Sequence, residues 1–434
     1  MKKTILLALT CLMAISMYSE QMFYVSPAGS NRADGTSPQT AKKDLQAMLN
    51  YLRDQDINGA TIRIAEGNYL GSLDAGYIEI YNWVTLQGGW NSSFTERNPL
   101  KYITRIEPTE KQRETNSAKA LIQVNKALDD VQATRPKGSL FIDGLCLNLG
   151  FENTYQPDGQ LADMTPPQIN HALFHSDGWI AGHVYIRNCV FANGPYFAIQ
   201  FGSRCGKVVI SNNVFVSNRY AAVRVESGGK TGKSAHVIFH HNTIAFTWCR
   251  DKAMEDMGYG YECMTKMDCD IKYNIFACNN NAAISRTHVL SGPDKELEAQ
   301  RETDIHHNAF FMNPADLQLP PTGGGKWTNV KAAQFEDLDA TIIPKAEGNV
   351  ELSQNDPFVK ALDTKFLKAF SELKVVRNST YDGNSKDNRV REALGTNQKG
   401  YETIRTSFYG NRYSLEKALL LFGINPEYGA QIPK

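Results

Sequence analysis

Three groups of residues carry side chains able to do chemistry. In YAAVRVES (220–227) a strand-like alternation sends Val223 and Val225 one way and Arg224 and Glu226 the other. A guanidinium and a carboxylate therefore share a face two residues apart. Most such pairs are solvated and worth little, but Tyr196 and Tyr220 stand nearby, and phenol rings stack on sugar faces. The second group is FTWCRDKAMEDMGYGYEC (246–263), which gathers Arg250, Asp251, Lys252, Asp256, Tyr259 and Tyr261. Its plain reading is a solvated helical turn with charge pairs four apart; its functional reading is a long loop held over a rigid scaffold. The third group is histidine. His240–His241 and His306–His307 recur with Lys272–Tyr273 between them, an order that suits stacking at a corner better than one shared metal ion. His171 and His175 stand apart and are the candidates for moving a proton.

The elements that must position these groups are read from a repeat. HVYIRNCVF (183–191), KVVISNNVF (207–215), HVIFHHNTI (236–244), DIKYNIF (270–276) and DIHHNAF (304–310) align on Cys189, Asn213, Asn242, Asn274 and Asn308, which are 24, 29, 32 and 34 residues apart. FIDGLCLNL (141–149) is a more degenerate earlier turn. Each period holds two or three short β runs and no room for a crossover helix, so successive turns are expected to stack as a solenoid. Asparagine tolerates left-handed backbone angles and can hydrogen-bond to its counterpart one turn away, which explains its recurrence at one corner. A β-sandwich would rarely hold one residue type at one phase of four out of five repeats.

The chain here resembles the right-handed parallel β-helix proteins of the pectate-lyase-like superfamily over roughly 23–330. The opening segment carries part of that resemblance: FYVSPAGSNRADGTSPQTAKKDLQAML (23–49), ATIRIAEGNYLGS (60–72) and WVTLQGGW (83–90). It implies an all-β solenoid with an N-terminal capping helix, started near Pro38, that faces Leu45, Met48, Leu49 and Leu52 inward. Past Gly325 the pattern fades. Helical spacing returns in DPFVKALDTKFLKAFSEL (356–373) and, behind a capping Ser414, in SLEKALLLFGI (414–424), which reads as a mixed C-terminal cap. The organisation expected is a signal peptide at 1–20, a cap with first strands at 21–75, the β-helix at 76–330 and the C-terminal cap at 331–434.

In that superfamily the groove runs over the sheet preceding the aligned strands. The resemblance therefore assigns 196–204, 220–227, 259–266 and 281–288 to the groove, with Gln200, Arg224 and Glu226 outward, then Tyr261 or Glu262 according to phase, then Ser285. Coils ~4.8 Å apart match a polysaccharide laid along the axis. A uronate lyase needs a cation on the substrate carboxylate, here Arg224, Arg250 or Lys252, and proton carriers, here Tyr259, Tyr261 or His175. Tyr196, Gln200, Tyr220, Glu262 and His175 are the substrate-binding set. A hydrolase needs two carboxylates, available as Glu226, Asp256 and Glu262. A non-catalytic glycan-binding β-helix is the third alternative. The motifs of characterised pectate lyases, polygalacturonases, alginate lyases and chondroitinases of this fold are missing. The cofactor stays unassigned, with Ca2+ suggested by fold analogy alone and no residue to carry it.

Composition narrows the classes. The 434 residues carry balanced charge, 46 basic against 46 acidic, so no global field favours nucleic acid or an anionic membrane. Lys2–Lys3 ahead of ILLALTCLMAI read as a secretory signal, with cleavage near Ser19–Gln21, and no later segment is long enough to span a bilayer. A secreted, periplasmic or cell-surface monomer is expected, acting on a polysaccharide. Export would leave seven cysteines, an odd number, with no zinc-type spacing; a Cys249–Cys263 bond would close the 246–263 insertion.

Overall fold

The computed structural model describes residues 21–70, 76–109, 112, 120–149, 171–227, 236–248, 258–263, 267–286, 302–319, 328–364, 367 and 412–434. Three nine-stranded sheets run the length of the chain. One coil passes from a first-sheet strand such as His183–Arg187, to Val190–Ala192 in the second sheet, to Phe197–Ser203 in the third. The chain then re-enters the first sheet one coil on, at Lys207–Ser211. Every strand pairs in parallel with its counterparts before and after it; the exception among the described residues is Thr328–Val330, antiparallel to Ala315–Leu319. This is the stacking the repeat requires, a β-helix-like solenoid.

Like side chains stack on like in the interior. Ile186, Ile210, Phe239, Ile271 and Ile305 form one buried column, and Ile199, Val223, Tyr261, Ile284 and Leu317 another. Phe191 lies 5.0 Å from Phe215 with rings 9° from parallel, and Phe276 lies 5.6 Å from Phe310 at 12°. Each such side chain contributes about 1.5–3 kcal/mol by leaving water.

The corner between the first and second sheets divides its two needs between consecutive residues. The left-handed backbone is taken by Gly144, Asn188, Asn212, His241, Tyr273, His307 and Gly348, not by the aligned asparagines themselves. The next residue turns inward. Asn242, fully buried, accepts at Oδ1 from both the backbone and side-chain amides of Asn213 and donates from Nδ2 to Asn274 and to the Ile210 carbonyl, all within 3.0 Å. The ladder runs from Cys189, whose amide donates to Asn213, through Asn308 to Asn349. The second sheet accordingly continues to Val350–Glu351, beyond the point where the repeat fades in sequence. A parallel corner between the second and third sheets uses Asn193, Ser217, Phe246, Cys278 and Met312 as left-handed residues, followed by Gly194, Asn218, Thr247, Asn279 and Asn313.

The helix near the start spans Leu45–Asp54 and buries Leu45, Met48, Leu49 and Leu52 as its pattern requires. Pro38–Thr40 is a separate 3-10 turn closed by Ser37, so Pro38 does not begin that helix. Ser414 caps Leu415–Leu419 by accepting from the Lys417 amide. This last segment lies along the flank of the second sheet. Its Tyr413, Leu415, Leu421 and Phe422 share a buried cluster with outward-facing Val190, Val214 and Ile275. Asn193 exchanges hydrogen bonds with the Tyr413 backbone, and Asn212 does so with Gln431. The expected signal peptide lies outside the described residues.

Candidate functional site

Parallel register decides which side chains line the outer face of the third sheet. Glu79, Gln123, His175, Gln200, Arg224, Glu262, Ser285 and Gln318 occupy one position on successive strands and form a single polar row. Gln200, Arg224 and Glu226 face outward as the alternation requires. The open phase of the following strand resolves in favour of Glu262, because Tyr261 pairs with inward Val223 and is fully buried. Tyr261 is therefore withdrawn from the site: burial pushes its phenol well up, and its hydroxyl sits 3.8 Å from Cys269 Sγ inside the coil.

The middle of the row is joined by hydrogen bonds whose directions follow from chemistry. Gln200 Nε2 donates to Glu226 Oε1 at 3.1 Å, since a carboxylate only accepts. Gln200 Oε1 therefore faces His171, whose Nε2–H donates to it at 3.1 Å. His175 Nδ1 lies 3.1 Å from the Gln200 carbonyl and must donate, which leaves its imine lone pair on Nε2. The two imidazoles meet edge to face, 4.8 Å apart. One coil on, Arg224 Nε lies 2.9 Å from Glu226 Oε1, and Nη1 lies 3.5 Å from Glu262 Oε2. The Glu262 side chain keeps only 2 % of its exposure and that of Arg224 21 %, so this is no solvated surface pair. One guanidinium thus stands between two carboxylates.

An aromatic group borders the row. Tyr196 and Tyr220 lie 4.4 Å apart, Phe197 touches both, and Tyr220 meets Tyr259 edge-on at 6.2 Å. Arg224 lies 5.7 Å above the Phe197 ring. Tyr259 is nearly buried, its hydroxyl accepting from Asn281, so it backs the face instead of standing on it. The structure thus brings together His175, Tyr196, Gln200, Tyr220, Arg224, Glu226, Tyr259 and Glu262. Arg250, Asp251, Lys252, Asp256 and Cys249 lie outside the described residues, and the Cys249–Cys263 bond with them; Cys263 Sγ lies 3.6 Å from Cys269 Sγ.

Two further polar clusters lie elsewhere. At the first corner Tyr273 sits between His241 (5.1 Å) and His307 (5.3 Å), stacked on the first as the spacing suggested and tilted by 38° against the second. Near the far end, Asp316, Lys331 and Glu351 line a cavity of about 540 Å³. Burial pushes the Asp316 carboxyl up to about 6, against the opposing pull of Lys331 3.6 Å away. Sequence reasoning missed this cluster because Lys331 and Glu351 follow the fading of the repeat.

Architecture and site together define a class: a parallel β-solenoid bearing a polar and aromatic row on one outer face. No known family, no curated protein and no solved structure matches the chain.

Proposed function

We propose that the protein is a secreted, carbohydrate-active, right-handed parallel β-helix protein that binds a polysaccharide along the third sheet and cleaves a uronic-acid-containing glycan by β-elimination. On this reading the Leu45–Asp54 helix plugs the N-terminal end of the coil. The observation carrying the proposal is the row itself: a histidine of assigned tautomer and an arginine stand two coils apart on one face, beside two tyrosines in contact with each other. The coil spacing of ~4.8 Å and the row's direction suit a glycan laid along the axis. His175 Nε2 is the base that removes the proton beside the substrate carboxylate, and Arg224 neutralises that carboxylate, which makes the carbon acid less weak. The electron pair left on carbon forms the new double bond as the glycosidic carbon–oxygen bond breaks, and the leaving oxygen takes a proton from the His175 imidazolium or from water. Tyr196, the more exposed of the two tyrosines, supplies stacking surface, and the nearly buried Tyr220 backs it.

One observation favours a second reading, glycoside hydrolysis. Glu226 and Glu262 converge on Arg224 from neighbouring strands, so an anionic substrate must displace at least one of them, whereas a hydrolase would use both. Incubation with a panel of uronate and neutral polysaccharides separates the readings. Elimination gives ultraviolet absorbance from unsaturated ends, hydrolysis gives reducing ends without it, and a binding module gives neither while retaining the glycan. Absence of new unsaturated ends from every uronate polymer sinks the lyase assignment.

A further inference from the structure

The first corner of the last coils holds an arrangement that the glycan reading does not use. His306 Nδ1 and His307 Nδ1 lie 3.0 Å apart. The Glu347 carboxylate joins them so that one ligand atom from each residue lies within 4.8 Å of the others. We propose that His306, His307 and Glu347 form a binding site for a divalent first-row metal ion of the zinc type, which fastens the segment around Glu347 to the last full coil.

Three features carry this. First, two imidazole nitrogens on one tetrahedral ion at ~2.1 Å stand about 3.4 Å apart, so the observed 3.0 Å needs an opening of only a few tenths of an ångström. Second, His306 Nε2 lies 3.1 Å from Asp270 Oδ1. A carboxylate only accepts, so Nε2 carries the hydrogen and the lone pair is on Nδ1, on the side of His307. Carboxylate-held histidine is the usual outer support of a metal ligand, fixing ring orientation and raising basicity. Third, the corner backbone holds the partners in place. His307 takes the left-handed conformation, its amide donates to the Glu347 carbonyl at 2.9 Å, and Gly348 lies so close that an added Cβ would come within 2.8 Å of the His307 ring.

Without metal, His307 Nδ1 must donate its hydrogen to His306 Nδ1. On binding, that proton moves to His307 Nε2 or leaves to solvent, and the exposed Glu347 side chain swings inward to complete a two-nitrogen, one-oxygen set, with water in the remaining positions. Lys272 is the adverse charge, and Asp270, ion-paired to it, offsets it. Two imidazoles with one carboxylate suit zinc, nickel or copper and not Ca2+, which takes oxygen ligands. The His240–His241 pair has its Nδ1 atoms 2.9 Å apart, but no carboxylate completes a set there among the described residues.

The test titrates Zn2+ into the full chain after dialysis against chelator, by calorimetry, with melting temperature as a second readout. One equivalent is expected at this site, with a raised melting temperature and no comparable response to Ca2+. His307→Asn, which keeps a residue tolerant of the left-handed corner, and Glu347→Gln, on an exposed side chain, should each weaken binding about tenfold or more. His241→Asn should leave the affinity unchanged. Should His307→Asn fail to fold by circular dichroism, Glu347→Gln decides alone. The proposal is overturned by no saturable Zn2+ uptake in the unsubstituted protein, or by uptake that folded Glu347→Gln retains in full.

Discussion

At the residue scale, the row on the third sheet turns on Arg224 and its neighbours. Arg224→Lys, which keeps a cation beside Glu226 and the buried Glu262 carboxylate, is expected to lower turnover sharply while moving the melting temperature little, whereas Arg224→Ala should also destabilise because it removes that cation. Equal loss of folding and activity would make it a structural residue. His175→Asn should remove activity while retaining glycan binding, since the amide stands where Nδ1 does and can still donate to the Gln200 carbonyl, but nothing remains to accept a proton at Nε2. A pH effect belongs to the first corner. Burial, then the charges of His241 and Lys272, lower His240 to about 4. Burial of Asp270 opposes its ionisation, but hydrogen bonds from His306 and Lys272 outweigh it and bring its pKa to about 2. In both cases the unfolded chain binds more protons than the folded one, so stability rises with pH. The His240 contribution is present above about pH 6.5 and lost as pH falls toward 4, and that of Asp270 is lost below about pH 4. The Asp316 carboxyl, raised to about 6, works in the opposite direction between about pH 4 and 6. The His240 contribution is therefore read as the difference in melting temperature between the unsubstituted protein and His240→Gln. That difference should change as pH falls from about 6.5 to 4 and stay constant above that window.

At the element scale, the asparagine ladder holds the corner. Asn242→Leu keeps the approximate volume but takes the acceptor from the Asn213 backbone N–H and from one of its side-chain N–H groups, the other still donating to the Ile186 carbonyl. It also leaves the Ile210 carbonyl without its side-chain donor. Buried groups without partners cost about 1–3 kcal/mol each, so a loss of about 3 kcal/mol or more is expected in urea unfolding, and a change within error would show the ladder to be incidental. The corner was legible because its spacing is written in residue types: asparagine recurs at 213, 242, 274 and 308. Its division of labour was not. Residues as unlike as Asn212, His241 and Tyr273 share the left-handed position, so no single type marks it. The third-sheet strand Tyr259–Cys263 was ambiguous for a related reason: YGYEC offers no polar alternation, and only pairing with Val223 and Arg224 sends Tyr261 inward and Glu262 outward.

At the scale of the whole molecule, the second sheet is apolar on both faces, and a strand of that kind must be covered on each. Residues 412–434 provide this cover along its flank. Gly429 makes the closest approach, with φ +76° and an added Cβ 2.6 Å from Thr243 Oγ1. Gly429→Val is therefore expected to detach this segment locally, costing about 1–3 kcal/mol. Hydrogen exchange should then quicken at the Ala430 and Gln431 amides while the ladder amides stay protected.

Residue order alone determined that this chain winds into stacked coils, which corner recurs, and that Gln200, Arg224 and Glu226 share an outer face, because period-two alternation and the repeat are local properties. Tertiary structure alone decided the phase of Tyr261, the ladder's extension to Asn349, the flank position of the last residues and the meeting of His306, His307 and Glu347. Those depend on register between strands and on contacts across as many as 220 residues, which local periodicity does not encode.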